Sequence, residues 1–327
     1  MTPRGRIVIW GRRAVLGGSV TLGLLLGFGF ALQTVASARA LRDHPPLGRR
    51  YDVGGYKLNL YCLGSGPTVV LFGGFPEGVI DWADTIQPAL ARSTRACSYD
   101  PPGFGWSDPA PSSQEDAPGI ARAVHCLLVA AGEKGPYTLV GHSLGGIYAR
   151  QFAALYPDET AGMVLIDSSS ESMIRRLPAK TTASQLQQLH LLRYIRYLTP
   201  FGIQHVLRVP MATTNLRTPK LRAIASTMGY RTAGYFAAYD QLSRLLTASE
   251  SGQLQTPKMP PIPLFVLTST DSIKTYGPTW AELQDELVAL SPRSHHMTVD
   301  SAHDIQREHP TVVLAAIATV IAGEQRL

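Results

Sequence analysis

The sequence predicts an α/β fold: a mostly parallel, twisted sheet covered by helices on both faces, with a helical lid, preceded by one N-terminal transmembrane or signal helix. Three observations predict it. Short, continuously apolar runs such as "TVVLF", "YTLVG", "GMVLI" and "PLFVL" alternate with helical stretches, the pattern of strands buried on both faces. Residues 171–258 break that rhythm with helical spacing and no strand-like run. Residues 14–38 hold no charged residue at all.

That last run is long enough to cross a bilayer, which takes about 20 residues. Arg4, Arg6, Arg12 and Arg13 precede it without an acid. The positive-inside rule therefore keeps the N-terminus in the cytoplasm and sends the bulk of the chain outward. An uncleaved anchor is favoured, because the run is long for a signal peptide. Cleavage near Ala38, after the small residues Ala36 and Ser37, is the alternative. The pair Arg12-Arg13 before a Gly-rich segment also fits a twin-arginine signal loosely. Residues 1–38 are thus a basic stub and membrane or signal segment, and the polar residues 39–50 a linker ending the helix with Pro45-Pro46.

Residues 51–170 and 259–327 form the expected core. "RYDVGGYKLNLYCLG" reads as a hairpin turning at Gly54-Gly55. "TVVLFGG" follows as a strand, "DWADTIQPALARSTR" as one helix, "ACSYD" as a strand and residues 114–132 as a helix. "YTLVG" is a strand, 144–156 a helix, and "AGMVLIDSS" the next strand. After the lid come the strand "IPLFVLTST", the helix "TWAELQDELVALS", the strand "HHMTVDSA" and the closing helix "PTVVLAAIATVIAG". The lid carries twelve Lys or Arg and three Asp or Glu, a net +9, against +6 for the 327 residues together. A solvated helical surface explains that excess, and so does an anionic substrate or lipid surface nearby. The overall charge and the lack of any nucleic-acid-binding motif argue against a nucleic-acid partner.

The chemistry centres on "YTLVGHSLGGIYARQF". A strand meets a helix at a turn so tight that Gly141 and Gly145 are needed where any side chain would collide. Ser143 stands at its tip, above a helix N-terminus whose free N–H groups favour an oxyanion. Alone, a G-x-S-x-G pattern is weak. Here its flanking strand and helix, and partners downstream, strengthen it.

With those partners the chain resembles the α/β-hydrolase superfamily from about Arg50 to the C-terminus, least in the lid. "GHSLGG" is similar to the family's nucleophile elbow, and "SYDPPGFGWSD" to its loop after the fourth strand. "LFGGFPEG" falls at its oxyanion loop, and "SAHDIQREHP" at its catalytic-histidine loop. The N-terminal segment and the "YDVGG…LYC" opening resemble bacterial members. One departure stands out: many members have His where this chain has Gly73. The resemblance implies backbone oxyanion donors at Phe75 and Leu144, each able to contribute about 2.7 to 4 kcal/mol.

It also implies the order Ser, acid, His, which fits His303 as the base. His142 sits inside the elbow, with its ring expected to point away from the site. Asp271, after the strand "PLFVLTST", is the favoured acid; Asp167, after "GMVLI", is the runner-up, because some members carry the acid there. Asp100 and Asp108 are expected to brace loops. The family's second and fourth strands are neighbours, and each carries a cysteine, Cys62 and Cys97. In an exported domain these can form a disulfide. No metal or nucleotide cofactor is implied. The expected reaction is hydrolysis of a small-molecule carboxylic ester. Peptidase, lactonase, thioesterase, haloperoxidase and acyltransferase chemistry share the nucleophile, and a non-catalytic relative is disfavoured because Ser and His both survive.

Overall fold

The computed structural model describes residues 3–111, 116–212 and 215–324, with side chains from Val15 to Gly323. Helix α1 (Pro3–Asp43) leads into the hairpin β1 (Arg49–Asp52) and β2 (Lys57–Leu63). Then follow β3 (Thr68–Phe72), α2 (Val79–Ala83), α3 (Ile86–Leu90), β4 (Arg95–Tyr99), α4 (Ala117–Ala131), β5 (Tyr137–His142), α5 (Leu144–Leu155) and β6 (Thr160–Ile166). The next helices are α6 (Met173–Arg176), α7 (Ala179–Leu198), α8 (Ile203–Leu207), α9 (Pro219–Met228) and α10 (Thr232–Glu250). The chain ends with β7 (Leu264–Ser269), α11 (Thr270–Tyr276), α12 (Pro278–Val288), β8 (Ser294–Val299), α13 (Ile305–Glu308) and α14 (Pro310–Glu324).

The eight strands form one sheet in the order β1-β2-β4-β3-β5-β6-β7-β8. β2 runs antiparallel to both β1 and β4, and every pairing from β4 to β8 is parallel. Parallel strands need covered faces, and alternation along each strand supplies two cores. Val70, Phe72, Leu139, Leu165 and Val266 pack on Leu127 and Phe152 of α4 and α5. Val69, Leu71, Val140, Val164 and Leu267 pack on Ile86, Val313 and Ile317 of α3 and α14.

Two expectations change. The helix expected over "DWADTIQPALARSTR" is two short ones, α2 and α3. Pro88 lacks an N–H and its ring would strike the preceding turn, so it is accommodated only in the first turn of a new helix. A helix not foreseen, α11, starts directly after β7, with the Ser269 hydroxyl accepting from the N–H groups of Asp271 and Ser272. The expected start of α4 at residue 114 lies outside the described residues.

Cys62 and Cys97 face each other across the β2–β4 ladder and are bonded. Their sequence separation of 35 makes the cross-link worth about 4 kcal/mol of unfolded-chain entropy. Between β6 and β7 the described residues are helical or irregular, with no strand. Both ends of this segment meet one buried ion pair. Arg150 of α5, fully buried, donates to Glu171, to the Ser168 hydroxyl and to the Ser169 carbonyl. Glu171 in turn accepts from the Thr256 hydroxyl, while the Ser249 hydroxyl donates to the Glu171 carbonyl.

Candidate active site

At the carboxyl edge of the sheet, β5 ends at His142 and α5 begins at Leu144. Ser143 between them has φ 51° and ψ −121°, a conformation that costs a non-glycine residue free energy and marks functional sites. The glycines make the turn fit. A Cβ on Gly141 would lie 2.5 Å from Gly146 Cα, and one on Gly145 would lie 2.2 Å from the Phe72 carbonyl oxygen. Leu144 is the first residue of α5, so its N–H is one of the donors a helix leaves free at its start.

Asp167 is the first residue after β6 and also has positive φ, 40°. Its N–H donates to the Leu267 carbonyl of β7. Its carboxylate is fully buried and accepts from four donors. These are the Ser269 N–H at 3.0 Å, Trp280 Nε1 at 2.9 Å, the Ser272 hydroxyl, and His303 Nδ1 at 2.6 Å. Four donors on one buried carboxylate offset its desolvation and hold it rigidly.

The structure pairs His303 with Asp167 and not with the favoured Asp271. Asp271 is half-exposed at the start of α11, and its carboxylate pairs with Lys274 at 2.8 Å. Helix α11 turns Asp271 outward, while Ser272, one residue later, turns in to Asp167. His303 therefore meets the acid that sequence reading ranked second. Ser143 and His303 both lie at the carboxyl edge, as expected. Phe75 lies on the β3–α2 loop, its ring edge-on to Phe104 at 6.2 Å.

The His303 loop is held from below by Glu77, Gln306 and Arg307, to which the sequence reading gave no role, and by His142, whose ring was expected to point away from the site and instead turns toward it. His142 Nε2 lies 3.2 Å from the His303 carbonyl oxygen, and the two rings are 4.8 Å apart. His142 Nδ1 contacts Glu77 Oε2 at 2.7 Å. The same oxygen accepts the Gly74 N–H at 2.7 Å, and Glu77 Oε1 accepts from Gln306 and Arg307 at 3.0 and 2.8 Å. Burial alone would raise the Glu77 carboxyl, but the His142 ring and the Arg307 guanidinium outweigh it and hold it well below the usual carboxylate range. Burial likewise opposes charge on His142, and Glu77 overcomes it, raising the imidazole. The missing histidine at Gly73 is explained by the same group: a Cβ there would lie 2.9 Å from Glu77 Cβ. The spacing G-x-x-x-E in "GGFPEG" was the available signal, but nothing in it pointed inward to His142.

Glu77, His142 and Asp304 bring ligand-type atoms within 4.8 Å of one another. Gln306 and Arg307 already occupy Glu77, so these atoms are spent on protein partners. Asp100 and Asp108 brace loops. Asp100 is buried and accepts from Asn59 Nδ2 and from the N–H groups of Val79 and Trp106. Burial pushes its carboxyl up, and these donors only partly oppose it.

An eight-stranded, mostly parallel sheet with a strained serine at the β5–α5 turn, and a buried aspartate paired with a partly exposed histidine at the same edge, defines the alpha/beta hydrolase class. Residues 67–310 match the model of the alpha/beta hydrolase fold family, and the chain belongs to that family. An uncharacterized protein of Schizosaccharomyces pombe is 28% identical over 239 residues, 68% of this chain and 40% of that protein. The 2-hydroxymuconate semialdehyde hydrolase of a Pseudomonas species (strain CF600) is 32% identical over 136 residues, 41% of this chain and 47% of its own. The chain thus spans less than half the length of either relative. Among solved structures, the epoxide hydrolase CorEH without ligand superposes with a TM-score of 0.62 at 20% identity, covering 84% of this chain and 98% of that one. A thermophilic esterase from Thermogutta terrifontis superposes at 0.59 and 20%, covering 84% and 98%.

Proposed function

We propose that the chain is a membrane-tethered serine hydrolase that cleaves a carboxylic ester or related acyl bond. Ser143 Oγ attacks the carbonyl carbon and gives its proton to His303. The tetrahedral oxyanion is held by the N–H groups of Phe75 and Leu144. His303 then donates that proton to the departing alcohol, leaving an acyl-enzyme. A water, deprotonated by His303, attacks the acyl carbon and restores Ser143. Asp167 fixes the imidazole's orientation and stabilises its charged form. The observation that carries this reading is the 2.6 Å contact between the buried Asp167 and the partly exposed His303, at the same sheet edge as the strained Ser143. Serine at the elbow tip also argues against epoxide-hydrolase chemistry, which needs a carboxylate nucleophile there.

The test is covalent labelling by a fluorophosphonate. Wild type should label, and Ser143→Ala should not. A folded wild type that resists labelling would sink the reading.

The apolar α1, long enough to cross a bilayer, is the tether, with Arg4 to Arg13 in the cytoplasm and the catalytic domain outside. The Cys62–Cys97 bond favours that oxidising side.

A further inference from the structure

Outside α1, the large apolar side chains left exposed among the described residues are concentrated in one place. Eight of the eleven lie between Leu191 and Val209, on the end of α7, the turn at 199–201 and α8. Leu198, Val206, Leu207 and Val209 are 49%, 77%, 51% and 44% exposed. A cluster of this kind marks a contact surface.

Helix α1 fixes where that surface lies. The uncharged run opens at Ala14, directly after Arg12 and Arg13. A hydrocarbon core of about 30 Å takes about 20 helical residues at 1.5 Å each. That length, counted from Ala14, ends at Gln33. Gln33 is buried against the lid segment. Its amide donates to the Tyr230 carbonyl at 2.9 Å and to Ser37 Oγ at 3.2 Å, and its carbonyl oxygen lies 3.1 Å from His205 Nε2. A polar side chain at the hydrocarbon boundary is thus satisfied by the lid.

Gly29 and Phe30 lie one turn before Gln33, about 5 Å deeper. Both touch the lid. A Cβ on Gly29 would lie 2.7 Å from the Phe201 carbonyl oxygen, and the Phe30 and Phe201 rings are 6.5 Å apart. Phe201 and the apolar side chains around it are therefore level with the outer part of the hydrocarbon.

The geometry points to a second membrane contact: the end of α7, the 199–201 turn and α8 dip into the outer leaflet beside the α1 span. A bilayer is the occupant because the patch continues the lipid-facing surface of α1. About 5 to 10 Å is also the depth interfacial segments reach. Arg193 and Arg208, both exposed within the patch, have stems long enough to lift their charges to anionic phosphates. The inference rests on reading α1 as the tether, and it is independent of the chemistry at Ser143.

The experiment uses the full chain with Cys126→Ser, carrying a bimane label at Val206→Cys or Leu207→Cys, in phosphatidylcholine–phosphatidylglycerol vesicles. Val129→Cys, exposed on α4, is the reference. Nitroxides on lipid acyl chains should quench the labels at 206 and 207 at least about threefold more than the reference, and aqueous iodide should quench them less. Quenching by nitroxide no greater than at 129, in protein that floats with the vesicles, overturns this inference and leaves the tether standing. Protection from iodide without nitroxide quenching means that a second copy covers the patch, and also overturns it. A chain that does not float overturns both.

Discussion

The ends of β6 and β7 look alike in sequence. Each has an aspartate after an apolar run, at once in "MVLID" and three hydroxyl residues later in "FVLTSTD". The strands are parallel neighbours, with Ile166 opposite Leu267. Yet Asp167 is fully buried under four donors, and Asp271 sits half-exposed beside one lysine. The difference comes from what converges from elsewhere. Ser269, Ser272 and Trp280 all send donors back toward β6. The segment after β7 supports the aspartate carried by its neighbour, and its own aspartate is left at the surface.

The sharpest way to break this comparison is to neutralise each aspartate in turn. Asp167→Asn should lower kcat by about 10³- to 10⁴-fold, the scale of losing the group that orients a catalytic histidine. Asp271→Asn should leave kcat within about twofold, as expected of a surface charge. Steady-state hydrolysis of a p-nitrophenyl ester checks both, and the reverse order would restore Asp271 as the acid.

Next in size is Trp280→Phe. It keeps most of the ring but deletes one donor to a buried carboxylate, which costs about 1.5 to 3 kcal/mol. The urea midpoint should fall at unchanged m, and kcat should fall with it as His303 loses a firmly held partner.

The network under the His303 loop predicts a smaller effect that depends on pH. His142 is raised above its ordinary 6.5, so its contribution to stability is complete below that value and is lost as pH rises through the raised one. Glu77 is depressed below its ordinary 4.5, so its contribution is complete above that value and is lost as pH falls toward the depressed one. Between 4.5 and 6.5 both contribute. Thermal melts should therefore show a maximum in that window and a decline above it. In His142→Gln the alkaline decline should flatten; a decline unchanged in that variant would assign it to other groups.

The smallest effect sharpens the comparison from the other side. Lys274→Ala removes the exposed partner of Asp271, and exposed pairs of this kind contribute little. No change in melting temperature or kcat is expected, in contrast to any substitution around Asp167.

Ser143, the sheet and its covering helices were legible because they depend on short-range requirements. Apolar runs of strand length, a Gly-x-Ser-x-Gly turn and a helix after it are written in consecutive residues, and the turn admits nothing larger than glycine at 141 and 145. The break between α2 and α3 is also written, at Pro88, but the continuous helical spacing around it hides it. The partner of His303 was not legible. Asp167 and Asp271 both satisfy the local pattern, and only the packing of α11 and α12 against the end of β6 separates them.

The sequence by itself determined the alternating α/β order, the elbow at Ser143, the histidine loop at 301–310 and an uncharged N-terminal run. Each follows from propensity, sterics or hydropathy within a single element. The tertiary structure alone decided which aspartate faces His303, that Glu77 and His142 fill the space beneath Gly73 and Gly74, and that Gln33 of α1 is buried against the lid. Those choices depend on donors, charges and surfaces brought together from residues far apart in the chain. Burial makes each unpaired polar group costly, so the fold settles on the partners that satisfy them.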